Sequence, residues 1–103
     1  MSLALASAAQ RARFLAAQPH WRYEQRHAAL HSRLQFADFV EAMAFINQVA
    51  TAAEQLGHHP EWRNIYNTVW LSLTTHDAGG VTELDFQLAE EIERCASHWQ
   101  PIR

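Results

Sequence analysis

Apolar residues recur at three- and four-residue steps in two long stretches of the chain and alternate with polar residues in others, so helices and strands separate on pattern alone. Phe39, Met43, Ile46, Val49, Ala50, Ala53 and Leu56 form one helical stripe. Asp38 with Glu41 marks its start, and Gly57 stands where a left-handed residue commonly follows a helix end. Leu88, Ala89, Ile92, Cys95, Ala96 and Trp99 make a second stripe, entered through Thr82 and Asp85 at capping-box spacing and ending near Pro101. Ser7 with Gln10 forms a similar box ahead of a helix over roughly 8–18, which Pro19 limits.

Between these helices the period changes to two. Leu30, Ser32, Leu34 and Phe36 alternate with His31, Arg33 and Gln35, and with the strand-forming run from Trp21 to Arg26 they predict a hairpin. From Glu61 onward, Ile65 and Tyr66 precede Asn67-Thr68, after which Val69, Leu71 and Leu73 oppose Trp70, Ser72 and Thr74. Asn67 tolerates a positive φ, so the turn between these two strands is expected there. Asp77 to Gly80 reads as a loop. The resulting order, α-β-β-α-β-β-α, predicts an α+β fold in which a four-stranded antiparallel sheet carries three helices packed on one face. Residues 1–103 read as a single domain without repeats or low-complexity linkers. Trp70 would stand on the uncovered face, and self-association is the expected way to cover it.

Composition narrows the partners. The 103 residues are 49% hydrophobic, enough for one core, and the net charge is −3 with eight basic residues scattered along the chain, which argues against nucleic acid as a partner. Met1 to Ala9 is apolar but short and lacks a basic leading region, so it does not read as a signal peptide. No apolar run approaches the ~18 residues of a membrane helix. The lone Cys95 excludes an internal disulfide and reads as a small buried thiol, which fits a reducing cytoplasm.

Candidate chemistry gathers on histidine. Of the seven, His20, His27, His31 and His98 lie away from other polar clusters and read as surface residues, whereas His58 and His59 leave a helix end and His76 ends a strand. Imidazoles at such positions can exchange protons near neutral pH, and Glu54, one helical turn before His58, can accept a hydrogen bond from an imidazole and fix its tautomer. Zinc is the rival reading. There is no H-E-x-x-H, adjacent His58 and His59 point in different directions, and cysteine ligands are lacking, so no metal is expected. Cys95 has no local partner and no serine sits in G-x-S-x-G, which disfavours nucleophilic catalysis.

The run Glu54-Gln55-Leu56-Gly57-His58-His59-Pro60-Glu61-Trp62, followed by Tyr66-Asn67, Thr75-His76, Gly80-Val81-Thr82 and Asp85, resembles the pterin-4a-carbinolamine dehydratases. The similarity extends upstream through Trp21, Phe36, Asp38-Phe39 and Phe45. The resemblance implies a four-stranded antiparallel sheet with three helices, and dehydration of 4a-hydroxytetrahydropterin to quinonoid dihydropterin, recycling the pterin of aromatic amino-acid hydroxylases. It further implies dimers or tetramers, pterin as substrate with no separate cofactor, and, in animals, a homeodomain transcription factor as partner. Carried to matching positions, His58 and His76 are the acid/base pair and His59 mainly holds the pterin. Glu54 is a supporting carboxylate, Pro60 and Trp62 shape the pocket, and Thr74, Thr75 and Asp77 offer hydrogen bonds to the pterin edge. Gly57 replaces an aspartate of the animal type at the pocket rim, and Leu84 replaces an arginine. Alternative readings are a protein-binding or transcriptional dimerisation module, a pterin-site relative in molybdopterin metabolism, and a purely structural oligomer.

Overall fold

The two long helical stripes need one apolar surface to bury against, and the strands supply it by pointing every second residue the same way. In the computed structural model, which describes residues 3–103, the elements are α1 (Ala8–Ala17), β1 (Arg22–Glu24), β2 (Ala29–Gln35), α2 (Phe39–Leu56), β3 (Glu61–Ile65), β4 (Thr68–Leu73) and α3 (Glu83–Ala96). Met1 and Ser2, which open the apolar Met1–Ala9 segment, lie outside the described residues. The strands form an antiparallel sheet in the order β1-β2-β4-β3, with Leu34 opposite Val69 and Leu30 opposite Leu73. The expected α+β architecture and element order are those of the structure.

One face of the sheet, bearing Leu30, Leu34, Val69, Leu71 and Leu73, packs against Phe45 and Val49 of α2 and Leu88 and Ile92 of α3. Helix α1 reaches the same core through Phe14, whose ring stacks on Phe86 at 4.6 Å between centroids. The capping boxes at Ser7/Gln10 and Thr82/Asp85 form as the spacing predicts, Asp38 accepts from the Glu41 amide, and Gly57 ends α2 at φ 63°.

Several expectations shift. The buried stripe of α2 runs through Ala42, Phe45, Val49, Ala52 and Ala53, while Phe39, expected inside, is 47% exposed and Ala50 is exposed. This helix is apolar on two sides, and periodicity alone does not say which side meets the sheet. The β3–β4 turn is set by Tyr66 at φ 51° rather than by Asn67, whose side-chain amide instead donates to the Phe36 carbonyl. Strand β1 is shorter than the expected run from Trp21 to Arg26 because the Glu24 carboxylate accepts from the Arg26 and His27 amides and folds the chain into a turn completed by Ala28 at φ 51°. Helix α3 stops at Ala96, before Pro101. Cys95 is half-buried at the core's edge, and that burial pushes its thiol up from the ordinary range.

The last residues complete the exposed side of β2. Gln35 and Ile102 exchange two backbone hydrogen bonds, which brings Arg103 onto Glu93 in a forked pair that Trp21 Nε1–H also joins. Burial pushes the Glu93 carboxyl up, but the Arg103 hydrogen bonds and charge, with Trp21, outweigh it and hold the group below the ordinary glutamate range. A depressed folded-state pKa means that this contribution is present above the unfolded pKa and is lost as pH falls through the folded one. Glu93→Gln is therefore expected to lower stability at neutral pH and to flatten the loss of stability on acidification. Urea midpoints across the acidic range check this, and a variant with an unchanged acid profile would contradict it. Tyr66→Asn, which eases a left-handed backbone at an exposed site, is expected to raise stability by about 0.5–1 kcal/mol. A lower urea midpoint would mean that the Tyr66 ring contributes more than the strain costs.

Candidate active site

The geometry of the site follows from how three chain segments end. Gly57 turns the chain out of α2 in the left-handed conformation, with nothing within 4 Å of where a Cβ would stand. Its role is conformational. Aspartate is among the few residues that also visit this region, so the exchange with the animal-type pattern needs no change in backbone. The chain then presents His58 and His59 in opposite directions before entering β3.

His58 turns inward. Its Nε2 lies 2.6 Å from Oδ1 of Asp85, a fully buried carboxylate in the first turn of α3. The other oxygen of Asp85 accepts from the Thr82 amide at 2.9 Å and from the Thr75 hydroxyl at 2.8 Å. Because the Thr75 proton goes to Asp85, Thr75 Oγ1 is left as acceptor for the Thr82 hydroxyl, 2.6 Å away, and Thr82 Oγ1 in turn accepts from the Leu84 amide. Every group around the carboxylate thus donates to it, as does the positive end of the α3 dipole. Asp85 is an acceptor only, so His58 must carry its proton on Nε2. Nδ1 makes no hydrogen bond among the described residues and is left for chemistry.

Such an imidazole can receive a proton on Nδ1 and spread the positive charge toward a carboxylate already oriented to stabilise it. Asp85 is the candidate site residue that the sequence reading missed as such. Its spacing from Thr82 identifies a capping box, but a cap uses one carboxylate oxygen and leaves the other for a partner that only the fold supplies.

The remaining candidates divide between held and free groups. His59 points to solvent and pairs with Glu54 at 2.5 Å, so the imidazole that Glu54 meets is His59 rather than His58. His76, expected at a strand end, opens a short 3-10 turn over His76–Ala78, where it and Asp77 are fully exposed. That turn is fixed from below, since Thr75 pairs with Gly80 through backbone hydrogen bonds. The Thr75 side chain is buried in the Asp85 network, and the Thr74 hydroxyl donates to the Ala28 carbonyl. Pro60 is half-buried and Trp62 lies on edge strand β3 at 37% exposure. Through Asp85 the structure ties the His58 ring directly to Thr75, the residue before His76. Among the described residues, no group of three or more His, Cys, Asp and Glu side chains is arranged to hold a metal.

The chain is similar to known proteins in sequence and in fold. Residues 4–95 match the sequence profile of the family described as pterin 4 alpha carbinolamine dehydratase. A protein of Burkholderia cenocepacia with the provisional name pterin-4-alpha-carbinolamine dehydratase is 49% identical over 83 residues, 81% of each chain. A crystal structure described as a transcriptional coactivator/pterin dehydratase from Brucella melitensis is 37% identical, with a TM-score of 0.86 over 89% of this chain and 98% of that one. A pterin dehydratase-like protein described as a RuBisCO assembly factor in the alpha-carboxysome shares the fold, with a TM-score of 0.64 at 22% identity over 74% of this chain and 88% of that one.

Replacing Asp85 with Asn tests the assigned tautomer without reference to any activity. To keep accepting from Thr75 and Thr82, the amide oxygen of the variant side chain must take the inner position, which turns its NH₂ toward His58 and makes Nε2 an acceptor. Ring ¹⁵N shifts are expected to report Nε2–H in the natural protein and Nδ1–H in the folded variant. Nδ1–H in both would contradict the assignment.

Proposed function

The chain belongs to the pterin-4a-carbinolamine dehydratase family, and from that premise and the site's geometry we propose that it dehydrates 4a-hydroxytetrahydropterin to quinonoid dihydropterin by histidine acid/base catalysis. The observation that carries this reading is the His58–Asp85 pair, which leaves one imidazole nitrogen free and backs the other with a buried carboxylate.

In the reaction, the C4a–O bond breaks as a ring nitrogen supplies its electron pair, the departing oxygen takes a proton and leaves as water, and the same nitrogen gives up its proton. His58, supported by Asp85, is suited to receive the ring proton on Nδ1. His76, open to solvent, is suited to deliver a proton to the departing oxygen and be recharged by water. His59, steadied by Glu54, serves to hold the pterin, with Gly57, Pro60 and Trp62 around it and Asp77 free to reach the pterin edge. Acid/base assistance of this kind contributes about 10²–10⁴-fold. Only protons and one C–O bond are exchanged, so the chemistry calls for no metal and no cofactor beside the pterin. Recycling the pterin of an aromatic amino-acid hydroxylase is the role that this activity would fill.

Self-association is part of the proposal, as a dimer or tetramer. Helix α2 turns Phe39 and Val40 outward, with Val40 75% exposed and Met43 half-buried beside them, and edge strand β3 ends in exposed Ile65, followed by exposed Tyr66. Among the described residues no helix is long and apolar enough to cross a membrane, and the free Cys95 accords with the cytoplasm. A second reading, a module that binds another protein, draws on the description of the Brucella melitensis relative as a coactivator.

Stopped-flow decay of the carbinolamine, with and without the protein, separates the two. His58→Ala and His76→Ala are expected to lower kcat, by about 10²-fold for His58, whereas His59→Ala is expected chiefly to raise KM. The double variant at His58 and His76 should lose far more than either single one. A folded double variant with natural dehydration rates would remove the acid/base reading, and unaccelerated decay with the natural protein would favour the binding module. Prolonged chelation should leave the rate unchanged; activity lost and then restored only by zinc would overturn the metal-free mechanism. Light scattering at micromolar concentration should give at least a dimer, and a strictly monomeric mass would contradict the assembly.

A further inference from the structure

The sheet face turned away from the helices carries an open groove of ≈ 800 Å³ that draws side chains from all four strands. The strand register sets Arg33, Trp70 and Arg63 side by side in one row, and Arg22, His31, Ser72 and Glu61 in the neighbouring row of the same face. The Arg63 guanidinium lies over the Trp70 ring, 4.1 Å from its centroid. A guanidinium stacked in this way keeps its N–H groups at its edges, free to fork onto a carboxylate.

None of Arg22, Arg33 and Arg63 makes an ion pair among the described residues, in contrast to Arg94 and Arg103, each held by a glutamate. The acidic groups near them are few. Glu24 is occupied by the turn it caps and by His27, and Glu61 stands at one end of its row. A chain of net charge −3 thus gathers three unpaired arginines on one face. Partial burial and the Arg22 charge also hold His31 below the ordinary histidine range.

This charge distribution weighs against the occupant first expected for the face. In a two-fold dimer each copy presents the same patch, so sheet-to-sheet packing over Trp70 would bring like-charged arginines together. The outward side of α2 has no such conflict.

We propose that this groove docks an extended acidic segment of another polypeptide, independently of the dehydratase reading. The three guanidinium groups come from β1, β2 and β3, so positive charge spans the sheet instead of converging on one point as it would for a single small anion. Crossing four strands at ~4.8 Å spacing covers ~14 Å, the reach of about four or five extended residues. A single-stranded nucleic acid fits less well. Such binders present successive free aromatic faces to the bases, whereas Trp70 already has one face occupied by Arg63.

The test is fluorescence anisotropy with a labelled peptide of about ten residues alternating Glu and Ala, beside its Gln-Ala counterpart and an oligothymidylate of similar length. The acidic peptide is expected to bind, the Gln peptide to bind at least about tenfold more weakly, and affinity to fall as salt rises from about 50 to about 300 mM. Arg33→Gln/Arg63→Gln should weaken the acidic peptide by about tenfold or more with dehydration unchanged. Arg22→Gln provides a second variant should the first fail the circular dichroism check. Equal binding of the Glu and Gln peptides, binding unaffected by the arginine changes, or tighter binding of the oligothymidylate would each overturn the proposal. A natural chain whose light-scattering mass falls to the monomer in Arg33→Gln/Arg63→Gln would assign the face to a second copy instead.

Discussion

One buried carboxylate joins what would otherwise be three separate chain ends. Asp85 caps the start of α3 through the Thr82 amide, anchors the segment after β4 through Thr75, and orients the ring that follows α2 through His58. Removing a charged acceptor that serves three donors leaves buried groups unsatisfied, at a cost of about 1–3 kcal/mol each. The helix N-terminus and the hydroxyl chain are what allow a charge to sit at zero exposure there. The same arrangement that satisfies the fold also selects the imidazole tautomer. The hold on the α3 start and the orientation of the His58 ring therefore depend on one group.

Around this fixed point the site is graded from rigid to open. His58 is nearly enclosed, Thr75 is buried beneath the loop, and His59, His76 and Asp77 project into solvent. Such a gradient suits a reaction in which one proton moves at a defined position and another is exchanged with water. It also explains why Thr74 and Thr75 carry their weight as structure. Their hydroxyls are already engaged, with Ala28 and Asp85, and what they contribute at the surface is the position of the His76 turn.

The sheet separates two environments that share the same strands. On the helix side, alternate residues of β2 and β4 close a dry core. On the other side, the intervening residues gather arginine, histidine and Trp70 into a groove whose sign opposes that of the whole chain. Helix α2 divides in a similar way, with Phe45 and Val49 in the core and Phe39 and Val40 outside. Apolar residues on both sides of one helix mark one side for folding and leave the other at the surface.

Local physics fixed much of this in the sequence. The two capping boxes, the left-handed Gly57 and the alternation through β2 and β4 each depend on contacts within a few residues, so element order, sheet and helix count were legible, as was the place of His58 and His59 just past a helix end. Tertiary structure decided whatever depended on a distant partner. Periodicity could not choose between the two apolar sides of α2, because the choice lies with the sheet. Local preference favoured Asn67 for the turn, but the Phe36 carbonyl claimed its amide and Tyr66 took the strained backbone. Scattered arginines became a patch only when β1, β2 and β3 aligned. Asp85 is the clearest case: the sequence determined its bond to its own helix end, three residues away, while its bond to His58 spans 27 positions and exists only because α2 and α3 pack side by side on the sheet.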